Sequence, residues 1–132
     1  MFYKFKIIIF LIFLLSQVIT ISCRTKKTIP DFDSQAWKND AFACQDIRSK
    51  MVPKLKIIRR DLRGLTIREL MDVLGKPDLE TLLAGNQRIY HYYLFPGDQC
   101  QNKRKMSSAN KLTVRFNALE QVSEVLFEQP LP

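Results

Sequence analysis

An unbroken apolar run, Ile7–Leu15, followed after a short stretch by Ser22-Cys23 and then by Arg24-Thr25-Lys26-Lys27, constrains this chain more than any other feature. Lys4 and Lys6 lead into it, and Ser16-Gln17 begin a less apolar tail. A basic lead, an apolar middle and a small-residue end are the three parts of an export signal. Nine consecutive apolar residues fall short of the roughly 17–25 that cross a hydrocarbon core as helix. Counting on to Ile21 approaches that limit, so a retained anchor stays open beside a cleaved signal. Either way the N-terminal stretch is separate from the folding unit, and the remainder is the size of one domain. No repeat and no Gly/Ser-rich linker divides it further.

The junction Ser22-Cys23 resembles a bacterial lipobox, in which a small residue precedes a cysteine whose thiol is acylated. Thr20 stands where Leu or Val is usual. This reading makes residues 1–22 a lipoprotein signal peptide, Cys23 the lipidation site, 23–34 a polar tether and 35–132 the folded domain. A soluble secreted form is the third alternative. Without Lys4 and Lys6 the chain carries 19 basic and 13 acidic residues, a formal +6. Such a surplus favours anionic surfaces: lipid headgroups, acidic protein patches or nucleic acid. Export to a cell envelope disfavours nucleic acid.

An oxidising compartment also decides how the other cysteines are read. With Cys23 acylated, Cys44 and Cys100 are an even pair, and exported pairs become disulfides. No Cys-x-x-Cys spacing suggests a redox site. A zinc site would want about four ligands, and His91 is the chain's one histidine. A structural Cys44–Cys100 bond is expected.

Downstream of the tether, Ala41, Cys44, Ile47, Met51, Leu55, Ile58 and Leu62 recur at helical spacing and predict an apolar stripe. Pro53 falls inside it and predicts a kink or two shorter helices. The basic residues Arg48, Lys50, Lys54, Lys56, Arg59, Arg60 and Arg63 read as the opposite face: solvated, or docked on anionic lipid or an acidic partner. The stretch "LTIRELMDVLGKPD" is better punctuated. Thr66 and Glu69 make a capping box, Leu65 and Leu70 flank it, and Gly75 and Pro77 stop the helix. The period then changes to two. "RIYHYYLF" (88–95), "KLTVRFN" (111–117) and "VSEVLF" (122–127) predict three strands. The expected fold is therefore α+β, two helices packed on one face of a three-stranded antiparallel sheet.

This order of motifs, with Leu62-Arg63-Gly64-Leu65-Thr66, Leu74-Gly75-Lys76-Pro77, the Tyr-rich strand and Leu112–Phe127, resembles the SmpA/OmlA (BamE-like) lipoprotein family. The family shares its fold with β-lactamase inhibitor proteins. The upstream "WKNDAFACQDIRSKM" is more similar to uncharacterised bacterial lipoproteins with a Trp-x-x-Asp and a lone cysteine. The resemblance implies a small lipoprotein on the periplasmic face of the outer membrane, supporting the complex that inserts β-barrels, with phosphatidylglycerol contact in some descriptions. This chain departs from the family at the turn Asn117-Ala118-Leu119-Glu120, and Pro53 and the cysteine pair are not general family features.

Catalysis needs a nucleophile, a base or a metal in a pocket. His91 in mid-strand reads as a packing or hydrogen-bonding residue rather than a general base. Asp31, Asp33, Asp40 and Asp46 match no calcium loop, and no Gly-rich phosphate loop is present. The expectation is a non-enzyme without a cofactor. Tyr90, Tyr92 and Tyr93 are candidate partner contacts, as are Lys54, Lys56, Arg59, Arg60 and Arg63 for lipid or protein. The alternative functions are an inhibitor-like protein or ligand binder, and an anionic-lipid-binding envelope protein.

Overall fold

Asp33 ends the polar N-terminal segment and starts the first helix of a computed structural model, which describes residues 24–128 except Asn86 and Lys105, together with Tyr3, Lys4, Lys6 and Ile7. The expected lipidation at Cys23 lies outside the described residues, as does most of the 1–22 segment. No helix among the described residues is long and apolar enough to cross a membrane. The Asp33 carboxylate accepts the backbone N–H groups of Gln35 and Ala36 at 3.1 and 2.9 Å and caps α1, Ser34–Asn39. A 3-10 turn at Ala41–Ala43 leads to α2, Ile47–Leu62, and α3, Ile67–Leu74. Four strands follow: β1 Leu79–Leu82, β2 Arg88–Tyr93, β3 Lys111–Phe116 and β4 Val122–Glu128. They pair in chain order as an antiparallel meander.

The architecture is α+β, with two corrections to the expected layout. The sheet has four strands rather than three, because β1 pairs with β2 from Leu79↔His91 to Leu82↔Arg88. β1 is a short edge strand with half-buried and exposed residues alternating and Leu82 largely exposed. It therefore lacks the apolar alternation by which a strand is read from sequence. Between residues 24 and 128 the helices number three, since "SQAWKN" is helical on the strength of its Asp33 cap.

Two expectations about the N-terminal half also change. Ile29 and Phe32, placed in the tether, are buried in the core, and the Phe32 ring lies 5.9 Å from Trp37. Two apolar side chains in an otherwise polar stretch have no period to reveal them. The long stripe from Ala41 to Leu62 is not one helix. Phe42, Ala43 and Asp46 have φ of 64°, 57° and 58°, a left-handed backbone that no right-handed helix accommodates. Helix α2 begins only at Ile47 and continues through Pro53 as one element. Pro53 sits on the exposed side, where water can satisfy the carbonyl it leaves unpaired.

The core lies between the helices and one sheet face. Trp37, Leu55, Leu62, Leu70 and Leu74 pack with Tyr90, Tyr92, Leu112, Val114, Phe116 and Val125 in a single cluster. Each fully buried leucine contributes about 1.5–3 kcal/mol relative to leaving it in water.

Helix α3 forms as its punctuation dictates. Thr66 Oγ1 accepts the Glu69 N–H at 3.3 Å, and a Glu69 carboxylate oxygen accepts the Thr66 N–H at 2.9 Å. Those bonds hold the exposed Glu69 carboxyl below its usual range, the Thr66 backbone bond contributing most. At the other end Gly75 adopts φ 74°, and a Cβ there would stand 2.9 Å from Lys38 Cγ. The last carbonyls of α3 are taken by neighbours: Asp72 O by Lys38 Nζ and Leu74 O by Trp37 Nε1 at 3.1 Å. The α2–α3 connection is tied to the sheet, because Gly64 N donates to Val122 O and Val122 N to Leu65 O, both at 2.8 Å.

Candidate functional site

The aromatic residues proposed as partner contacts are interior. Tyr90, Tyr92 and Tyr93 are 1%, 0% and 0% exposed. Tyr90 packs edge-on against Phe116 at 4.9 Å. The Tyr92 hydroxyl donates to Gly75 O at 3.0 Å, and burial pushes its pKa far above the usual tyrosine value. Tyr93 stacks on Phe42, and its hydroxyl accepts the Ser107 N–H at 2.9 Å. No partner reaches them in this fold, so they are withdrawn as docking residues. Alternation predicts one inward set. Here β2 is covered on both faces, because the disulfide-bonded segments pack over its Tyr93 end.

Cys44 and Cys100 form the expected disulfide, with Cα atoms 5.6 Å apart and a sequence separation of 56. It joins the strained 42–46 turn to the 3-10 turn at Asp98–Cys100. Gln99, fully buried beside it, donates to Phe42 O at 3.1 Å and to Phe95 O at 2.8 Å.

A buried polar network adjoins this staple. Arg48, read as a solvated residue, is 1% exposed. Its guanidinium donates to Asp78 Oδ2 at 2.6 Å and to Trp37 O at 3.0 Å, and stacks over the Trp37 ring at 4.5 Å. Asp78 also accepts the N–H groups of Phe42 (2.9 Å) and Tyr93 (2.8 Å). Asp40 accepts those of Gln45, Ile47 and Arg48 at 2.7–2.9 Å, capping α2 from seven residues upstream of its first position. The Trp-x-x-Asp motif is thus a pair of remote helix caps: Trp37 ends α3 and Asp40 starts α2. The clue to Arg48 lay in its position four before Val52 and seven before Leu55, on the apolar stripe itself. The acceptor role of Asp78 had no sequence signal. No buried side-chain nitrogen or oxygen among the described residues lacks a partner.

His91 joins three strands. One ring nitrogen contacts Thr81 Oγ1 at 3.1 Å and the other Thr113 Oγ1 at 3.0 Å. Burial lowers its pKa below 6.5; Glu128 opposes that shift and Lys111 adds to it. Between the lowered folded value and 6.5 the unfolded chain binds more protons, so stability falls as pH drops through that window and levels off above it. Melting at about pH 5 and about pH 8 should therefore show an acid loss. It should shrink in His91→Gln, and an identical loss in that variant would rule His91 out. Among the described residues no three His, Cys, Asp or Glu side chains gather as a metal-ligand set.

The basic candidates divide. Lys54 faces Asp31 at 3.6 Å, and Lys56 lies 6.0 Å over the Phe127 ring. Lys56, Arg59, Arg60 and Arg63 line an open hollow of about 390 Å³ around Ile57, which is 70% exposed. Among the described residues none of these four cations is in an ion pair. A second open region, of about 510 Å³, lies between the start of α3 and the β3–β4 turn.

No protein-family model, curated protein or solved structure matches the chain.

Proposed function

We propose that this chain is a lipid-anchored, periplasm-facing interaction module of the bacterial cell envelope, docking through the basic side of α2 onto an acidic protein surface. One observation carries the reading: four cations without ion-pair partners among the described residues surround an exposed isoleucine, while the competing aromatic candidates are core. Long cationic side chains around an apolar centre suit an acidic partner, since they supply both contact area and charge complementarity. The resemblance to SmpA/OmlA lipoproteins makes the β-barrel assembly complex the partner to test first. The reading is non-catalytic, because the buried charged groups are engaged in caps and cross-ties.

The anchor geometry supports work close to the membrane. Arg24–Thr28 are exposed and Ile29 is buried. With Cys23 acylated, that stretch can extend at most about 20 Å. Arg24 and the Lys27 N–H are both held by Asp72, which keeps the segment along α3.

A photo-crosslinker at Ile57 in cells, read by mass spectrometry, should trap one envelope complex, and Arg60→Glu/Arg63→Glu should cut the yield about tenfold or more. Crosslinking that ignores the charge reversal would sink this reading. The exposed Ile57 also favours a second one, docking on anionic phospholipid. Salt-sensitive binding to phosphatidylglycerol vesicles, absent with phosphatidylcholine, would select it.

A further inference from the structure

We infer that the outer edge of β4 and the cationic flank of α2 form one docking trough, which an extended acidic polypeptide segment enters by adding to the four-stranded sheet as a further strand. This deepens the interaction-module reading and rests on it, by stating the conformation and charge pattern of the partner segment.

The edge is open and regular. β4 is the last strand of the sheet, and among the described residues the backbone bonds on its outer side stop at Val122, which Gly64 and Leu65 engage. Irregularity in its pairing with β3 is confined to Arg115/Phe116, so residues 124–128 run in continuous register. Unpaired N–H and C=O groups along an edge are a template for another strand, and folded proteins blunt such edges with short strands, lysines, prolines or bulges. β1, the opposite edge, has only four residues. β4 has seven, with neither lysine nor proline among them. Leu126 and Phe127 on it are half-buried.

What stands beside this edge selects the occupant. Helix α2 runs along β4 in the opposite direction: Lys56 Nζ lies 6.0 Å over the Phe127 ring, and Arg63 directly precedes Gly64, whose N–H donates to Val122 O. Lys56, Arg59, Arg60 and Arg63 are three and four residues apart and share one flank of the helix. Lys54, on the other flank, faces Asp31. The cationic flank therefore lies on the β4 side. From Lys56 to Arg63 is about 10 Å along a helix, and alternate residues of a strand recur about every 6.6 Å. Two or three acids at alternate positions of an added strand match that row.

The sheet's two faces set the rest of the pattern. Val125 and Phe127 pack into the core on the helix side, which leaves Glu124, Leu126 and Glu128 on the far face. An added strand thus meets cations on one face and glutamates on the other, so acids should alternate with neutral or basic residues. A second copy of this chain fits poorly, because antiparallel pairing of two β4 edges would set both cationic flanks face to face. A lipid headgroup brings charge but no backbone groups to continue the ladder.

The test uses the full chain in zwitterionic lipid nanodiscs and a peptide of about ten residues, with glutamates at alternate positions and threonines between them. Two further peptides carry N-methyl groups on the glutamate amides or on the threonine amides, which removes alternate donors and keeps the charge. Binding should slow hydrogen exchange at alternate amides within residues 124–128 about tenfold or more. One methylated peptide should lose binding while the other keeps it. Arg60→Glu/Arg63→Glu, at exposed positions, should weaken the parent peptide about tenfold. Resonance shifts at the α2 cations without added protection in 124–128 would overturn strand addition and leave the basic-face reading standing. Equal binding of the two methylated peptides would overturn it too. So would protection that follows protein concentration without peptide, which means a second copy, or that follows anionic lipid alone. No effect at either place would overturn the trough, and the in-cell crosslink at Ile57 would still judge the basic face.

Discussion

Replacing Asp78 by alanine should lower the unfolding free energy by about 3–5 kcal/mol, the cost of stranding a buried charge. The Asp78 side chain is 2% exposed and serves the Arg48 guanidinium and the Phe42 and Tyr93 N–H groups together. Alanine takes the shared acceptor from all three donors in a buried site. Asparagine should cost less, because it keeps one acceptor oxygen but turns an N–H group toward other donors. At roughly 4–8 °C per kcal/mol for a domain of this size, the melting point of Asp78→Ala should fall by tens of degrees. Arg48→Met should also destabilise. The double variant should lose less than the sum, because each single change orphans what the other removes. A thermal melt of Asp78→Ala within a few degrees of the parent would show that the pair is solvated in solution.

The Cys44→Ser/Cys100→Ser variant should lose about 4 kcal/mol, the loop-closure term for a cross-link of this span. For a small domain with about 5–15 kcal/mol in hand, that is a large share. The turn it fastens makes the loss local as well as global. Phe42, Ala43 and Asp46 hold left-handed backbone without glycine, each at a cost of roughly 1–3 kcal/mol. Released from Cys100, residues 42–46 should exchange their amide hydrogens first. Urea denaturation of the serine variant and of the parent under a dithiol reductant should agree. A shift under about 1 kcal/mol would mean that Asp40 and Asp78 hold the turn without the bond. Because Asp78 also binds the Phe42 N–H, the two perturbations should not add.

Most of what was legible in the sequence is local. The capping box, the Gly75 stop, three of the four strands and the identity of the cysteine pair follow from neighbouring residue types. Local chemistry has few alternatives there: only a Thr66 oxygen reaches the Glu69 N–H, and glycine alone accepts the backbone at residue 75 without strain. The candidate sites were less legible. Burial depends on what covers a residue, and Tyr93 was covered by turns more than forty residues away on the Cys44 side. Arg48 carried a periodicity signal, overridden by the expectation that arginine faces water. Arg59, Arg60 and Arg63 emerged as a candidate surface because α2 turns them away from the core around Ile57.

Residue types alone were enough for the helix boundaries at 66–75, the alternating strands and the pairing partner of Cys44, since each rests on residues that act on their own backbone or on a choice of two. Packing over long sequence distances makes Trp37 and Asp40 remote caps and Asp78 a shared buried acceptor, puts the tyrosines in the core, and leaves Lys56, Arg59, Arg60 and Arg63 around Ile57. Those outcomes turn on which groups fold back to satisfy distant backbone donors and acceptors, and a buried N–H or C=O accepts whichever partner the packing brings to it.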